Sequence, residues 1–189
     1  MLADQMFVQP IHGKGVRVIW LKGETDMLGA LEEVESFGEF AKRNNAVAST
    51  EVKSFEHLIC TEQLSRRLGF KVGEELIRVV RVRSLNGSAR QVDHGYFLAS
   101  VAKGLTPEIA ADSIYGYLEH KRGVKVMASR RTVSVELAND EDCSYLDLGK
   151  YNCVAVMESQ SYTSDGILFE VTHARTHPEI FHYRVNSKR

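Results

Sequence analysis

Residues 75–98 read ELIRVVRVRSL, NG and SARQVDHGYFL, so an Asn-Gly pair at 86–87 separates two runs rich in β-prone residues. This arrangement is a strong short-range signal for a β-hairpin. Both faces of the first run are apolar over part of their length, which is typical of a strand covered on both sides. The stretch therefore predicts a long antiparallel hairpin with other elements packed on it.

Two arginines in this hairpin require a partner. Arg81 and Arg83 share one face of the first strand, and burying two guanidinium groups is costly unless something anionic meets them. One interpretation is an anionic ligand, because a guanidinium is a planar fork that matches phosphate or carboxylate. The other is pairing with internal Asp or Glu residues, or a solvated strand end. A capping box from Ser36 to Glu39 favours the ligand, because a helix N-terminus binds anions readily.

The remaining segments predict an α+β domain. Capping residues and glycine stops indicate short helices at about 36–43, 61–69, 113–123 and 139–149. Residues 99–112 are loop-like. Alternating runs predict strands at 47–58, 124–137, 152–164, 167–177 and 180–186, and a small hairpin within the first 22 residues. The expected fold is a largely antiparallel β-sheet with short helices on its face and ends.

Composition restricts the class of protein. The 189 residues are enough for one domain with a real core, and 43% hydrophobic with 26% charged residues excludes a disordered or fibrous chain. The formal net charge of −1 disfavours DNA binding by this chain alone. No apolar run is long enough to span a bilayer, and the N-terminus lacks the pattern of a signal peptide. Three cysteines without CxxC spacing predict buried thiols in a reducing cytoplasm, with no disulfide framework and no zinc knuckle.

The sequence carries none of the common catalytic or nucleotide-binding motifs. His173 and His177 lie four apart, but on a predicted strand and with no cysteine nearby, so surface or hydrogen-bonded histidines are favoured over a metal site. No catalytic residue, metal or cofactor is therefore expected, and the residues point to binding rather than to chemistry.

Several segments in a fixed order resemble the effector-binding (UTRA) domain of GntR-superfamily regulators of the HutC subfamily. The resemblance runs from about Phe37 to the C-terminus, and its segments are SFGEF, LSRRLGFKVGEELIRVVRVRSLNG, DHGYFL, SIYGYLEHKRGVKV and SDGILFEVTHAR. It implies a chorismate-lyase-like fold with a ligand cleft. HGKGVRV at 12–18 is similar to the wing of a winged helix-turn-helix domain. Expected boundaries are therefore 1–22 for a wing remnant, 23–30 for a linker and 31–189 for the effector-binding domain.

The resemblance also implies a ligand site. In family members that bind phosphorylated sugars, the R-x-R of the central strand holds the phosphate, and the matching positions are Arg81 and Arg83. The family's phosphate loop matches Glu35, Ser36 and Phe37, with Gly38 where many members have a second Ser or Thr. Acidic ligand contacts match Asp93 and Glu170. A position that is often aromatic in sugar-phosphate binders is Thr176 here, a departure that argues against an amino-sugar ligand.

The register of the hairpin determines whether Asp93 lies on the same face of the sheet as the arginines. A strict two-residue turn at 86–87 would put Asp93 on the face away from the arginines. One extra residue, with Gly87 as a bulge, would pair Arg81 with Gln91 and bring Asp93 to the arginine face. We predict this bulge.

The strand at 124–137 offers a third cation. Parity places Arg131 on one face and Arg130 on the other. Arg131 is the favoured ligand contact, and the alternative is two exposed arginines near a strand edge. The residues that share its face are predicted to point inward: Met127, Val133, Val135 and Leu137.

These expectations lead to one main function and two alternatives. The main one is a ligand-sensing and dimerising domain of a cytoplasmic bacterial transcription regulator, which binds a small anionic effector, with a phosphorylated sugar or phosphonate favoured. Operator DNA would be bound only through a missing N-terminal domain. The alternatives are a chorismate-lyase-like enzyme, which would turn its ligand over, and a protein–protein module, in which the arginines would be structural.

Overall fold

The computed structural model describes residues 8–18, 28–29 and 34–183. Near the N-terminus, β1 (Val8–Ile11) and β2 (Gly15–Val18) form the expected antiparallel hairpin. The two-residue strand β3 (Leu28–Gly29) pairs in parallel with β10 (His182–Tyr183) at the other end of the chain. The linker expected at 23–30 lies outside the described residues except for this pair.

The body of the domain is one six-stranded antiparallel sheet, which confirms the predicted fold class. Its strand order is β4-β5-β6-β9-β8-β7. The hairpin of residues 75–98 lies inside the sheet, as β5 and β6, with the predicted bounds. The six strands are β4 (Ala48–Ile59), β5 (Glu75–Leu85), β6 (Ser88–Leu98), β7 (Val126–Leu137), β8 (Cys153–Thr163) and β9 (Leu168–Thr176).

Within the described residues, five short helices surround the sheet: α1 (Phe37–Arg43), α2 (Glu62–Leu68), α3 (Pro107–Ala111), α4 (Ile114–Arg122) and α5 (Asp140–Tyr145). Four were predicted from their caps. The prediction of a loop at 99–112 was wrong, because α3 forms there. Its start has an ordinary signal, since Thr106 accepts a hydrogen bond from the Ile109 N–H and Pro107 occupies the first turn, where its missing N–H costs nothing.

Helices cover both faces of the sheet. A larger core joins β5, β6 and β9 to α2, α3 and α4 through residues such as Phe97, Phe169 and Leu118. A smaller core on the other face packs Val80, Val92, Val154 and Val156 against the segment that follows α5, at Leu146 and Leu148. The arginine face of β5 lies on the side of the larger core.

The turn between β5 and β6 contains a bulge, although not at the predicted residue. The two-residue turn is strict, with Asn86 and Gly87 at φ 50° and 82°, the backbone that Asn-Gly favours. The register shifts one step later, so that Arg90 is the extra residue. Asp93 therefore reaches the arginine face as predicted, but it lies directly opposite Arg81, where the prediction placed Gln91.

Two smaller predictions were wrong. The strand at 180–186 is reduced to β10 within the described residues, because a 3₁₀ turn occupies Pro178–Ile180. Only Cys60 of the three cysteines is buried; Cys153 is partly exposed and Cys143 exposed. Helix α5 buries one narrow face, which is that of Asp142, so its neighbour Cys143 remains at the surface. No helix in the described part of the chain is long and apolar enough to cross a membrane.

Candidate functional site

A cavity of about 430 Å³ opens on the arginine face of the sheet. Its walls are the start of α1, the residues that lead into α4, and the chain from 180 to 183. Every residue that the sequence proposed as a ligand contact lines this cavity: Ser36, Phe37, Arg81, Arg83, Asp93, Arg131, Glu170 and Thr176. The strands and loops that carry them are far apart in sequence, so the fold brings the predicted set together.

The centre of the cavity is a buried charge cluster. Oδ2 of Asp93 accepts hydrogen bonds from Arg81 Nε at 3.0 Å, Arg81 Nη2 at 2.5 Å and Arg83 Nη2 at 2.8 Å. Arg81 and Asp93 are only 5% and 2% exposed. Burial alone would raise the pKa of Asp93, but the two guanidinium groups outweigh it and hold that pKa at about 2.

This cluster shows one of the two interpretations of the arginines, which is pairing with an internal carboxylate. Even so, two positive charges face one negative charge inside a cavity. The Nε of Arg83 is buried and has no hydrogen-bond partner among the described residues. A buried donor left unpaired costs free energy, so an anion that accepts this hydrogen bond would be favoured here.

Helix α1 closes the cavity beside Arg83. The Arg83 guanidinium carbon lies 5.1 Å from the centroid of the Phe37 ring, within the range of a cation–π contact. The capping box is complete, because Ser36 Oγ accepts from the Glu39 N–H at 3.3 Å and Glu39 Oε2 accepts from the Ser36 N–H at 2.8 Å. The Ser36 side chain is therefore used as a cap, and the first-turn amides left for a ligand are those of Phe37 and Gly38.

A second polar group occupies the floor of the cavity. Tyr115 donates its hydroxyl hydrogen to Glu170, and its oxygen lies 3.1 Å from Ser161 Oγ. Burial raises the pKa of Glu170, and the nearby Asp93 adds to this rise. Burial and the Glu170 charge likewise raise the pKa of Tyr115 well above its ordinary value. The floor thus holds a carboxyl whose ionised form is disfavoured.

We expect Glu170→Gln to stabilise the protein at pH 8, because the variant has no carboxyl group to ionise at this buried position. Because the pKa of Glu170 is raised in the folded state, its contribution to stability is greatest below its unfolded pKa and is lost as pH rises through the folded pKa. The free energies of unfolding of variant and wild type should therefore converge near pH 4. Urea titrations at several pH values measure this, with Glu62→Gln on the surface of α2 as the control. If the difference in free energy of unfolding between variant and wild type were the same at every pH, the prediction would be wrong.

The prediction for β7 was partly right. Arg131 lines the cavity, whereas Arg130 lines a groove on the opposite sheet face. Burial raises the pKa of Tyr183, and the charge of Arg131 opposes this rise. The rest of the supposed inward set is exposed, by 45% at Val133, 71% at Val135 and 74% at Leu137. Parity assigned the face correctly, but nothing in the described residues covers the outer half of this strand. Met127, 63% exposed, falls at a bulge.

Sequence reasoning missed several cavity residues. Tyr115, Ser129, Ser159 and Ser161 all line the cavity. Two of them follow only from the strand register, because Ser161 pairs with Glu170 across β8 and β9, and Ser129 pairs with Ser161. Thr176 was predicted, and it accepts a hydrogen bond from Gln91 Nε2 at 2.9 Å. Among the described residues, no group of three or more His, Cys, Asp or Glu side chains is arranged to hold a metal ion.

An antiparallel sheet with peripheral helices and a buried, arginine-lined cavity is the architecture of a class of proteins, the effector-binding domains of transcription regulators. Residues 43–182 match the model of the UTRA domain. The chain belongs to this family, and is the UTRA effector-binding domain of a GntR-type transcriptional regulator.

Individual relatives agree with this assignment. The chain is 28% identical to the HTH-type transcriptional regulator TreR of Bacillus subtilis (strain 168) over 97% of its own length and 76% of TreR. The structure of the B. subtilis trehalose repressor (TreR) effector-binding domain superposes with a TM-score of 0.66 at 27% identity, over 75% of this chain and 98% of that one. The structure of the possible transcriptional regulator YydK from B. subtilis gives a TM-score of 0.77 at 21% identity, over 99% and 78%.

Proposed function

We propose that this domain senses a small anionic metabolite with a phosphate or phosphonate head, and thereby modulates operator binding by a DNA-binding domain. The observation that carries the proposal is the buried Arg81 and the partly buried Arg83 with one carboxylate between them, and with Arg83 Nε unsatisfied, inside a cavity of ligand size. The anion would sit against Arg83 and the amides of Phe37 and Gly38, where it completes the charge balance.

The same proposal covers the domain organisation. The β1–β2 hairpin, within residues 1–22, would be the wing of the DNA-binding domain. Residues 23–30 would link it to the effector-binding domain of residues 31–189, and the protein would act in the cytoplasm. The effector would shift a two-state arrangement of the two domains by binding one state more tightly. Support comes from the match to TreR, which extends over nearly the whole chain.

A ligand screen tests the proposal. Thermal unfolding would be followed with inorganic phosphate, methylphosphonate, hexose phosphates and, because of the name of the trehalose repressor, trehalose. A ligand at a hundred times its Kd stabilises the native state by about 2.7 kcal/mol, which raises Tm by several degrees. The bound compound should be recovered unchanged after long incubation. Turnover would favour the enzyme alternative, and the absence of any shift with anions would favour the protein–protein module.

We further propose that the domain is a homodimer that uses the outer half of β7. This strand is an edge of the sheet, and it exposes Val133, Val135 and Leu137 on one face. The other edge, β4, carries the charges of Glu51, Lys53 and Glu56, which discourage strand pairing. An antiparallel edge strand is self-complementary about a two-fold axis, so the occupant that it fits is a second copy of itself.

Val135→Glu is expected to convert the dimer to a monomer at 10 μM protein, because two carboxylates would meet at an apolar, two-fold interface; a rise of roughly a hundredfold in the dimer Kd is reasonable for a central interface residue. Light scattering measures the mass. Val72→Glu, at another exposed valine away from the sheet edge, is the control. A wild-type monomer, or a Val135→Glu dimer, would count against the interface.

A further inference from the structure

A second groove lies on the face of the sheet opposite the arginine cavity. Its volume is about 520 Å³, which is within the range of small-molecule sites. Its floor is formed mainly by β6, β9, β8 and β7, and its walls are the end of α2 and the start of α5. Successive residues of a strand point to opposite faces, so Asp93 lines the cavity and His94 lines the groove. The groove is therefore a different site from the proposed effector cavity.

The strand register arranges the side chains of the groove floor in two adjacent rows. Each row takes one residue from β6, β9, β8 and β7, in that order. The rows are Tyr96, Val171, Gln160 and Arg130, and His94, His173, Glu158 and Thr132. Arg130 and Glu158 are therefore diagonal neighbours on β7 and β8. At such positions the Cα atoms lie about 7–8 Å apart, and two long side chains can reach a common ligand.

These two neighbours carry opposite charges that no charged partner neutralises. Arg130 makes no hydrogen bond or ion pair with any residue that the structure describes. Oε1 of Glu158 lies 3.9 Å from Nε2 of His173, and the Glu158 side chain is 65% exposed. Burial lowers the pKa of His173, so its imidazole is uncharged at neutral pH. One cation and one anion thus lie side by side on the floor, each able to pair with a ligand.

The other charged groups of the groove already have internal partners. The pairs are Arg67 with Tyr96, Arg78 with Glu56, His94 with Glu141, and Arg175 with Asp142. At the α2 wall, the guanidinium carbon of Arg67 lies 5.5 Å from the centroid of the Tyr96 ring. These contacts fix the walls of the groove, and they leave the two floor charges as the groups with which a ligand would form ion pairs.

We propose that this groove binds a small zwitterion, of the class of amino acids and short peptides, whose carboxylate pairs with Arg130 and whose ammonium group pairs with Glu158. A dianion would be repelled by Glu158 and a dication by Arg130, whereas a zwitterion forms both ion pairs. Because β6, β8 and β9 contribute to both sites, the zwitterion would be held on the strands that line the effector cavity.

Four probes of similar length test the charge requirement: γ-aminobutyrate and glycylglycine as zwitterions, succinate as a dianion and putrescine as a dication. NMR follows binding at the backbone amides of Gln160 and His173 on the groove floor. At least one zwitterion should bind ten times more tightly than succinate and putrescine, because it forms two ion pairs and meets no like charge. Equal affinity for all four probes, or no binding of either zwitterion, would overturn the proposal.

Charge reversal at the two positions gives a second test. Arg130→Glu should weaken binding of the zwitterion at least tenfold, because its carboxylate then meets two acidic side chains. The double variant Arg130→Glu/Glu158→Arg exchanges the two charges, so the zwitterion can bind in the opposite direction and most of the affinity should return. Arg122→Glu, at an exposed arginine of α4 that does not line the groove, is the control. A double variant as weak as Arg130→Glu would count against the pair.

Arg83→Met separates this site from the proposed effector cavity. The affinity for the zwitterion should be unchanged in this variant, because Arg83 lines the cavity and not the groove. Arg130→Glu, in turn, should leave the affinity for inorganic phosphate unchanged. If Arg83→Met removes binding of the zwitterion and Arg130→Glu does not, the zwitterion occupies the cavity, and the groove site fails while the proposed function stands.

Discussion

Replacing Asp142 by Ala is expected to lower the free energy of unfolding by about 3–5 kcal/mol, because it leaves a buried guanidinium without its main partner. Asp142 is fully buried on α5, and Arg175 of β9 is 5% exposed. Arg175 Nε donates to both oxygens of Asp142, at 2.9 and 3.0 Å, and Nη2 donates to Oδ2 at 2.9 Å. The pair fixes α5 to the sheet. The variant would therefore also loosen the smaller core that follows this helix.

Urea denaturation measures this loss. Asp140→Ala is the matched control, because the same substitution in the same helix removes only an exposed carboxylate. In the double variant Asp142→Leu/Arg175→Met, no unpaired charge is left, so much of the lost stability should return. A loss below 1 kcal/mol in Asp142→Ala would mean that Glu136, which also accepts from Arg175 Nη1, is a sufficient partner by itself.

Arg83→Met is expected to weaken binding of a phosphorylated effector by about 1.5–3 kcal/mol, or roughly ten- to a hundredfold, the range for a charge-assisted hydrogen bond. Its effect on stability should be small, because Asp93 keeps two hydrogen bonds from Arg81. Arg81→Met should weaken binding as well, but it removes the more deeply buried partner of Asp93 and should cost more stability. Comparing the two variants therefore distinguishes the expected role of Arg83, a ligand contact, from that of Arg81, which positions Asp93.

Titration calorimetry and urea unfolding of both variants give this comparison. Arg78→Met is the control, because Arg78 is on the same strand but faces the other side of the sheet, where it pairs with Glu56. If Arg83→Met and Arg81→Met both lower the free energy of unfolding and the folded variants keep the wild-type affinity, the charge cluster is structural, and the assignment of the effector pocket fails.

Local signals in the sequence were sufficient for most of the fold. The Asn-Gly turn and the Ser36, Thr61 and Ser113 caps depend on a few adjacent residues, and these elements formed where predicted. Two features depend on what packs against an element. The exposed face of β7 has the alternation of a buried strand, and periodicity does not reveal whether another layer lies above it. The bulge at Arg90 is likewise held from outside the hairpin, since the His177 N–H donates to the Arg90 carbonyl.

The candidate site was predictable where a residue type is costly without a partner. Arginines and acidic residues in a predicted buried strand can be recognised as candidate site residues from the sequence, and the proposed residues did converge on one cavity. Hydroxyl residues such as Ser129 and Ser161 cannot be recognised in this way, because serine is as common on a solvated strand as in a cavity. Their role emerges only from the pairing of β7, β8 and β9, which a single sequence does not specify.

Because Arg90 is a single extra residue, the face of the sheet on which Asp93 lies depends on whether this segment has an odd or an even number of residues. Side chains alternate along β6, so deletion of one residue between Leu85 and Gln91 would turn Val92 and His94 toward the cavity and Asp93 toward α5. The hairpin would keep its hydrogen bonds and lose the carboxylate that binds both arginines. Lengthening this segment by two residues would therefore leave Asp93 on the same face of the sheet. A change by one residue, however, would leave the strands paired but remove Asp93 from the arginines of the proposed effector site.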